Sequence, residues 1–271
     1  MSEVFFSTGS MDVRVAAKNV FYEQPLNERL RNCLRLESLF SAINEGIERG
    51  RPHEARDVVT RILELTDFIN RSDFKGELVK EIERALVVCR GFLNNPGVDA
   101  LALEETLKRL EGSKETLRGI CAQPGNVVKN DELLNLVRQR ISIPGGTCSF
   151  DVPAFYHWLC SPQTRRTSDC ESWMLDLRGI ETAVQTILNL TRASSQQRSA
   201  TAYSGFYQEQ ASSGGTLQLV RIGLPSAAKV YPEISGGKHR FTVRFYELTS
   251  TQSRPSQTES DISFLLECCG I

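Results

Sequence analysis

The chain has 271 residues, of which 40% are hydrophobic and 24% are charged, and its formal net charge is −1. This size allows one large or two modest domains with their own cores, and the near-neutral charge argues against general nucleic-acid binding. No segment approaches the ~20 apolar residues of a membrane span, and residues 1–10 lack the apolar stretch of a secretory signal. We therefore expect a cytoplasmic protein.

The first half of the chain has the periodicity of packed helices. Residues 1–26 are mixed, and Val20-Phe21-Tyr22 predicts a short strand that joins a later β-unit. From Asn27 onwards, apolar residues recur every three to four positions, as on one face of an α-helix. This pattern predicts four helices, over residues 27–50, 54–71, 75–93 and 101–121.

A short helix and a tight turn are predicted in the centre of the chain. Asp131 is placed to cap a helix from Leu133 to Arg140, because Asp accepts hydrogen bonds from the free N–H groups of a first turn. Pro144 and Gly145 predict a type II turn, in which Pro presets φ and Gly tolerates a positive φ. Asp151 is expected to cap the helix that follows.

Beyond a last long helix predicted over residues 180–198, the apolar period falls to two, which is typical of strands. The alternation in residues 239–247 places Phe241, Val243 and Phe245 on one face and Arg240, Thr242 and Arg244 on the other. Residues 217–222 and 262–268 predict further strands. Because no helix separates these strands, we expect an antiparallel sheet.

These elements predict an α+β fold that is mainly helical, with a helical bundle and a small antiparallel β-strand domain. We divide the chain into an N-terminal segment (residues 1–26), a helical domain (residues 27–199) and a β-strand domain (residues 200–271).

Arg31 and Arg35 are the first candidate binding residues. They lie one turn apart on the first helix, away from its apolar stripe. Two guanidinium groups at this spacing repel each other unless an acid lies between them. The pair fits either a docking site for a carboxylate or acidic peptide, or an ordinary solvated face that Glu28 relieves.

Arg138 and Arg140 form a second candidate pair. On an ideal helix they would lie ~160° apart, so they cannot line the same patch. One could join Arg31 and Arg35 in a basic pocket, while the other holds a carbonyl or carboxylate of the bundle. A structural salt bridge is the alternative for either residue.

Reactive side chains give only a weak signal. The eight cysteines form no C-x-x-C pair and only three histidines are present, so we expect free thiols, with no metal and no cofactor. Cys148, Asp151 and His157 invite a thiol or serine hydrolase hypothesis. The chain lacks a G-x-S-x-G nucleophile elbow, however, and Ser149 and Asp151 are better explained as helix caps.

Arg240 and Arg244, with Lys238 nearby, could form a basic stripe on a strand. Such a stripe fits a nucleic-acid binder, but a solvated sheet face explains the same residues. We therefore predict no nucleic-acid partner and keep nucleic-acid binding as an alternative.

Several sequence blocks together resemble the ZapD family of cell division proteins. The blocks are Tyr22-Glu23-Gln24-Pro25-Leu26-Asn27-Glu28, Leu34-Arg35-Leu36-Glu37, Leu136-Val137-Arg138-Gln139-Arg140-Ile141-Ser142-Ile143-Pro144-Gly145-Gly146-Thr147-Cys148-Ser149-Phe150-Asp151, Trp158-Leu159, Gly205-Phe206-Tyr207-Gln208, Tyr231-Pro232-Glu233-Ile234-Ser235-Gly236, Arg240-Phe241 and Leu266-Glu267-Cys268-Cys269. The resemblance covers about residues 19 to 269.

The resemblance implies a helical domain, a β-strand domain and a homodimer without catalytic activity. It also implies binding of the C-terminal tail of the tubulin-like protein FtsZ in a positively charged pocket of the helical domain. The dimer would then bundle FtsZ filaments at midcell, with no nucleic-acid or membrane partner.

The resemblance also indicates which residues line that pocket. Arg35 matches a family arginine associated with it, whereas Glu132 and Tyr156 stand where relatives carry a basic residue and His. His157 lies one place later and is a candidate replacement. Residues 1–16 extend beyond the family pattern, and no role is assigned to them.

Overall fold

The structure is a computed structural model that describes residues 19–71, 73–93, 95, 97–120, 123–210, 217–237, 239–248, 250 and 252–270. Its architecture is the predicted α+β fold. The helices are α1 (Glu28–Arg49), α2 (Pro52–Asn70), α3 (Phe74–Gly91), α4 (Ala100–Gly119), α5 (Asn126–Asn130), α6 (Glu132–Arg138), α7 (Pro153–Leu159), α8 (Gln163–Met174) and α9 (Arg178–Ala193). The strands are β1 (Asn19–Pro25), β2 (Arg198–Ala202), β3 (Phe206–Gln210), β4 (Leu219–Pro225), β5 (Val230–Gly236), β6 (Arg240–Glu247), β7 (Ser256–Gln257) and β8 (Ile262–Cys269).

The helices form one bundle around an apolar core. Helix α1 packs on α2, α3 packs on α4, and α9 contacts both α1 and α4. Asn27 starts α1 by accepting a hydrogen bond from the Leu30 N–H, and Gly50 ends it with a φ of 64°, a conformation that glycine adopts without strain. The short helices α5 to α8 also pack on α2, so α2 contacts both α1 and these four helices.

The predictions for the central helices are partly right. Asp131 caps α6 by accepting a hydrogen bond from the Leu134 N–H, and Gly145 has the predicted positive φ, at 70°. The prediction that Ser149 or Asp151 caps α7 is wrong, because the cap residue is Val152, without a side-chain hydrogen bond. Helix α6 also ends at Arg138 rather than at Arg140.

The strands form two antiparallel sheets rather than one. Sheet 1 has the order β1-β4-β8-β2, and sheet 2 has the order β3-β6-β5 with β7 paired to β6. A second apolar core lies between the sheets, and Phe241, Val243 and Phe245 enter it from β6, as the alternation predicts. Leu219 and Cys269 of sheet 1 pack into the helical core instead, so sheet 1 lies between the helices and sheet 2.

A cluster of charged side chains joins sheet 1 to the bundle. This junction cluster consists of Glu23 on β1, Glu37 on α1, Arg192 on α9, Arg221 on β4 and Glu267 on β8. Arg192 donates to both Glu23 and Glu37, and Arg221 donates to Glu23 and Glu267. Burial alone would raise the pKa of Glu23, but the bonds and charges of Arg192 and Arg221 hold that pKa below its usual value.

Candidate functional site

The N-terminal part of α1 presents two arginines and one acid to solvent. Arg31 Nε lies 3.2 Å from Glu28 Oε2, and Arg35 Nη1 lies 3.8 Å from Glu28 Oε1. The Arg35 side chain is 57% exposed and that of Glu28 is 69% exposed. Exposed pairs of this kind contribute little energy, and two cations share one anion. An incoming carboxylate could therefore replace Glu28 as a partner.

Arg138 occupies a more enclosed position at the end of α6. Its Nη2 lies 3.7 Å from Asp67 Oδ1 on α2, and its side chain is 30% exposed. Its Nε and Nη2 atoms are buried and have no hydrogen-bond partner in the described part of the chain. These two atoms are closed off from solvent, so Arg138 could reach an incoming carboxylate only through the exposed part of its side chain or after a local rearrangement.

Arg140 and His157 lie in exposed positions on either side of the loop that joins α6 to α7. Arg140 follows α6 in a turn, where its N–H donates to the Val137 carbonyl. Arg56 of α2 holds the loop by donating at 2.6 Å to both the carbonyl and the hydroxyl of Thr147. Arg140 therefore lies at the start of a loop that is fixed against α2, and His157 lies in the helix that follows the loop.

Four large apolar side chains of the same segment are exposed, and the sequence analysis singled out only one of them, Tyr156. Leu136 is 44% exposed, Ile143 is 44%, Phe150 is 82% and Tyr156 is 50%. Exposed apolar groups mark binding surfaces where they form one patch. We call these four residues, with Arg140 and His157, the α6–α7 surface.

The structure groups the candidate residues in two places. Arg31 and Arg35 come together around Glu28 on α1, whereas Arg138, Arg140 and His157 belong to α6, α7 and their connection. Helix α2 contacts both regions. Among the described residues, no hydrogen bond or ion pair joins one group to the other.

The residues of the hydrolase hypothesis do not form a linked set. The Cys148 thiol lies 3.3 Å from Asp151 Oδ2, and within the described chain no hydrogen bond joins it to His157. A nucleophile and its base must lie within hydrogen-bond reach. The geometry therefore gives this hypothesis no support.

Other types of site find little support in the described residues. No group of three or more His, Cys, Asp or Glu side chains there is arranged to hold a metal ion, and none of the helices described is long and apolar enough to cross a membrane. Arg240 and Arg244 are both exposed, and the Arg244 guanidinium lies 5.7 Å from the Phe206 ring centre. Lys238, the third member of the predicted stripe, lies outside the described residues.

Comparison with known proteins identifies the family. Residues 34–244 match the family model of ZapD, described as a cell division protein. ZapD of Escherichia coli O7:K1 (strain IAI39) is 36% identical over 250 residues, which cover 92% of this chain and 98% of the relative. ZapD of Shigella boydii serotype 4 is 35% identical over the same shares.

The chain belongs to the ZapD family. This confirms the resemblance seen in the sequence blocks, and it supports a role in cell division. The ZapD match includes Arg35, Arg138, Arg140 and His157 but begins after Arg31. Four of the five candidate residues therefore lie in the part of the chain that the ZapD model describes.

Proposed function

We propose that this protein binds the C-terminal tail of FtsZ and that its homodimer cross-links FtsZ filaments into bundles. It would act in the cytoplasm at the midcell division ring and promote assembly of that ring. The proposed protein is an adaptor rather than an enzyme, and it needs no cofactor.

The exposed arginines of α1 are the observation that carries this proposal. Arg31 and Arg35 share one exposed acid, so this stretch of helix has an excess positive charge that is open to water. A carboxylate of an acidic tail can bind a guanidinium through two parallel hydrogen bonds. We propose that Arg35 is the main anchor and that Arg31 supports it.

The α6–α7 surface and Arg138 are proposed to extend the site. Arg138 has a partly exposed side chain that faces Asp67, and Arg140 and His157 add exposed polar groups to the same segment of the chain as the exposed rings of Tyr156 and Phe150. Peptides gain most of their affinity from a few such anchors. A single tail would bind weakly, at about micromolar affinity, and two linked sites on a polymer would raise the effective affinity by ~100-fold.

Co-sedimentation with FtsZ polymers tests the proposal. Arg35→Glu should leave the protein folded and lower the pelleted fraction strongly, because it reverses the charge that meets the tail. Arg109→Glu is the matched control, since Arg109 is also an exposed helical arginine paired with one exposed acid, Glu105, on α4. Binding should also weaken as salt rises.

Deletion of the FtsZ tail tests whether the protein binds the tail or another part of FtsZ. Pelleting that persists with tail-less FtsZ would place the contact elsewhere on FtsZ. Normal pelleting of Arg35→Glu would overturn the assignment to α1.

A further inference from the structure

The loop between α6 and α7, residues 139–152, is a compact unit. The N–H of Gly146 donates to the Ile143 carbonyl at 2.8 Å, and the N–H of Ile143 donates to the Arg140 carbonyl at 2.9 Å. Gly146 is buried in this turn, where an added Cβ would collide with the Arg140 carbonyl oxygen. Such a unit moves as one body, so its position depends on the contacts that attach it to the bundle.

Arg56 on α2 attaches this loop to the bundle. Its Nη1 donates at 2.6 Å to two neutral oxygens of Thr147, the carbonyl and the hydroxyl. Among the described residues, no other hydrogen bond joins the loop to an element beyond α6 and α7. The half-buried side chain of Ile141 adds an apolar contact with the helical core. Arg56 is therefore the main polar restraint on the loop in the described structure.

The same guanidinium also contacts α7. It lies over the ring of buried Phe155, with its central carbon 5.5 Å from the ring centre, which is within the ~6 Å range of a cation–π contact. Phe155 in turn stacks on Trp158, with ring centres 5.7 Å apart. Because Phe155 directly precedes Tyr156 and His157 in α7, one side chain restrains both the loop and the start of this helix.

Most of the α6–α7 surface is divided between the two elements that Arg56 holds together. Ile143 and Phe150 belong to the loop, whereas Tyr156 and His157 belong to α7. We propose that Arg56 is a positioning residue for binding of the FtsZ tail, which sets the spacing of these two halves without contacting the tail. The inference rests on the proposed function and adds to it a residue beneath the binding surface.

A preformed spacing should raise the affinity for a peptide. Binding costs free energy for every side chain and loop that must be ordered at the same time. A loop that Arg56 already holds loses little conformational entropy when the tail binds. Without Arg56 the loop would sample several positions, and only the fraction in the competent position would bind. We therefore expect half-buried Arg56 to affect the affinity for the tail through the loop.

Binding of a synthetic FtsZ tail peptide, measured by fluorescence anisotropy, tests the inference. Arg56→Met keeps an unbranched side chain that can pack where the arginine stem lies, and it should raise the dissociation constant at least ~5-fold. The matched control is Arg61→Met, at an exposed arginine of the same helix, which should bind like the wild type. Circular dichroism confirms folding of each variant. An unchanged dissociation constant in Arg56→Met would overturn the inference.

A double-mutant cycle separates positioning from a general loss of stability. Phe150→Ala should weaken peptide binding ~5-fold in the wild type but less than ~2-fold in Arg56→Met, because a released loop no longer presents Phe150. Arg35→Ala on α1 should weaken binding by the same factor in both backgrounds. Equal effects of Phe150→Ala in the two backgrounds would show that Arg56 does not act through the loop, against the inference.

Amide hydrogen exchange without FtsZ measures the restraint on the loop directly. Exchange in residues 139–152 should be at least ~5-fold faster in Arg56→Met, with α1 and α9 unchanged. Unchanged exchange in the loop would overturn the inference and leave the proposed function intact. Faster exchange in a protein whose wild type does not bind the tail peptide would instead reject the proposed function, and with it the role of Arg56 in binding.

Discussion

Arg192 on α9 binds both carboxylate oxygens of Glu23 on β1, with Nε at 2.8 Å and Nη2 at 2.7 Å. The same guanidinium donates to both oxygens of Glu37 on α1, at 2.7 Å. One side chain therefore links a strand of sheet 1 to two helices. This charged junction adds to the apolar contacts of Leu219 and Cys269 with the helical core.

Arg192→Met should therefore destabilise the protein. The variant leaves Glu23 and Glu37 half-buried without their main partner, and we expect the free energy of unfolding to fall by about 2 kcal/mol. Urea denaturation measures this. Arg109→Met, which removes one partner of an exposed ion pair, should change the free energy of unfolding by less than about 0.5 kcal/mol. Equal effects of the two substitutions would show that the junction does not depend on Arg192.

Stability should also fall in acid. The pKa of Glu23 and that of Glu81 are each held below the ordinary value of 4.5. Burial opposes this shift at both residues, but arginine bonds outweigh it, from Arg192 and Arg221 at Glu23 and from Arg84 and Arg29 at Glu81. The folded state thus binds fewer protons than the unfolded state. This contribution is present above pH 4.5 and is lost as the pH falls through the folded pKa.

Urea denaturation at about pH 7 and about pH 4 measures this loss. Glu23→Gln should reduce the difference between the two conditions, because it removes one of the two titrating carboxylates. The matched control is Glu48→Gln, at an exposed glutamate of α1, which should keep the wild-type difference. A Glu23→Gln protein with the full acid sensitivity of the wild type would exclude Glu23 as a source.

The thiols should differ sharply in reactivity. Burial, together with nearby acids, raises the pKa of Cys33 and that of Cys170 to about 12, whereas Cys160 is exposed. Because the thiolate is the reactive form, iodoacetamide should label Cys160 in the native protein and spare the other two. Peptide mapping by mass spectrometry reports this, with the urea-unfolded protein as the reference. Native labelling of Cys33 as fast as that of Cys160 would contradict the packing described for α1.

Asp131 has two structural roles that substitution can separate. One oxygen caps α6, and Oδ2 accepts a hydrogen bond at 2.8 Å from the indole N–H of buried Trp173. Asp131→Ala should cost about 2–3 kcal/mol, because it removes a cap and leaves a buried donor unpaired. Asp99→Ala on α4 removes only a cap and should cost about 1 kcal/mol. Thermal unfolding of both variants makes the comparison, and equal costs would show that the indole bond contributes nothing.

The sequence predicts the elements whose pattern is local. Helices α1 to α4 and strand β6 follow from apolar period, and the cap at Asp131 follows from residue type. Helix α8 was missed because its buried face includes Arg166, which is buried only because it donates to the carbonyls of Gly50 and Leu159. Gly50 lies 116 residues away in the sequence, and hydropathy does not reveal a polar contact with either carbonyl.

The same limit applies to the sheets and to the candidate site. Alternation indicates strands, but it does not indicate that β1 pairs with β4 about 200 residues later. Nor does it indicate that β5 is at the edge of sheet 2, where Pro232 is tolerated. At the site, the adjacency of Arg31 and Arg35 follows from helical spacing. The exposure of Phe150 depends on how the α6–α7 loop folds back on α2, which only the tertiary structure specifies.

The connection between β1 and α1 has a consequence for how errors in strand pairing propagate. Only Leu26 and Asn27 separate the strand from the helix. A slip of β1 by one residue would turn Glu23 away from Arg192 and towards the apolar core between the two sheets. A shift of ~3.4 Å along the strand would pull on α1 through this short connector and disturb the packing of its first turn, where Leu30 is buried. Misalignment of this strand would therefore cost free energy in both apolar cores. Packing of the helical bundle thus favours the correct register at the edge of the sheet.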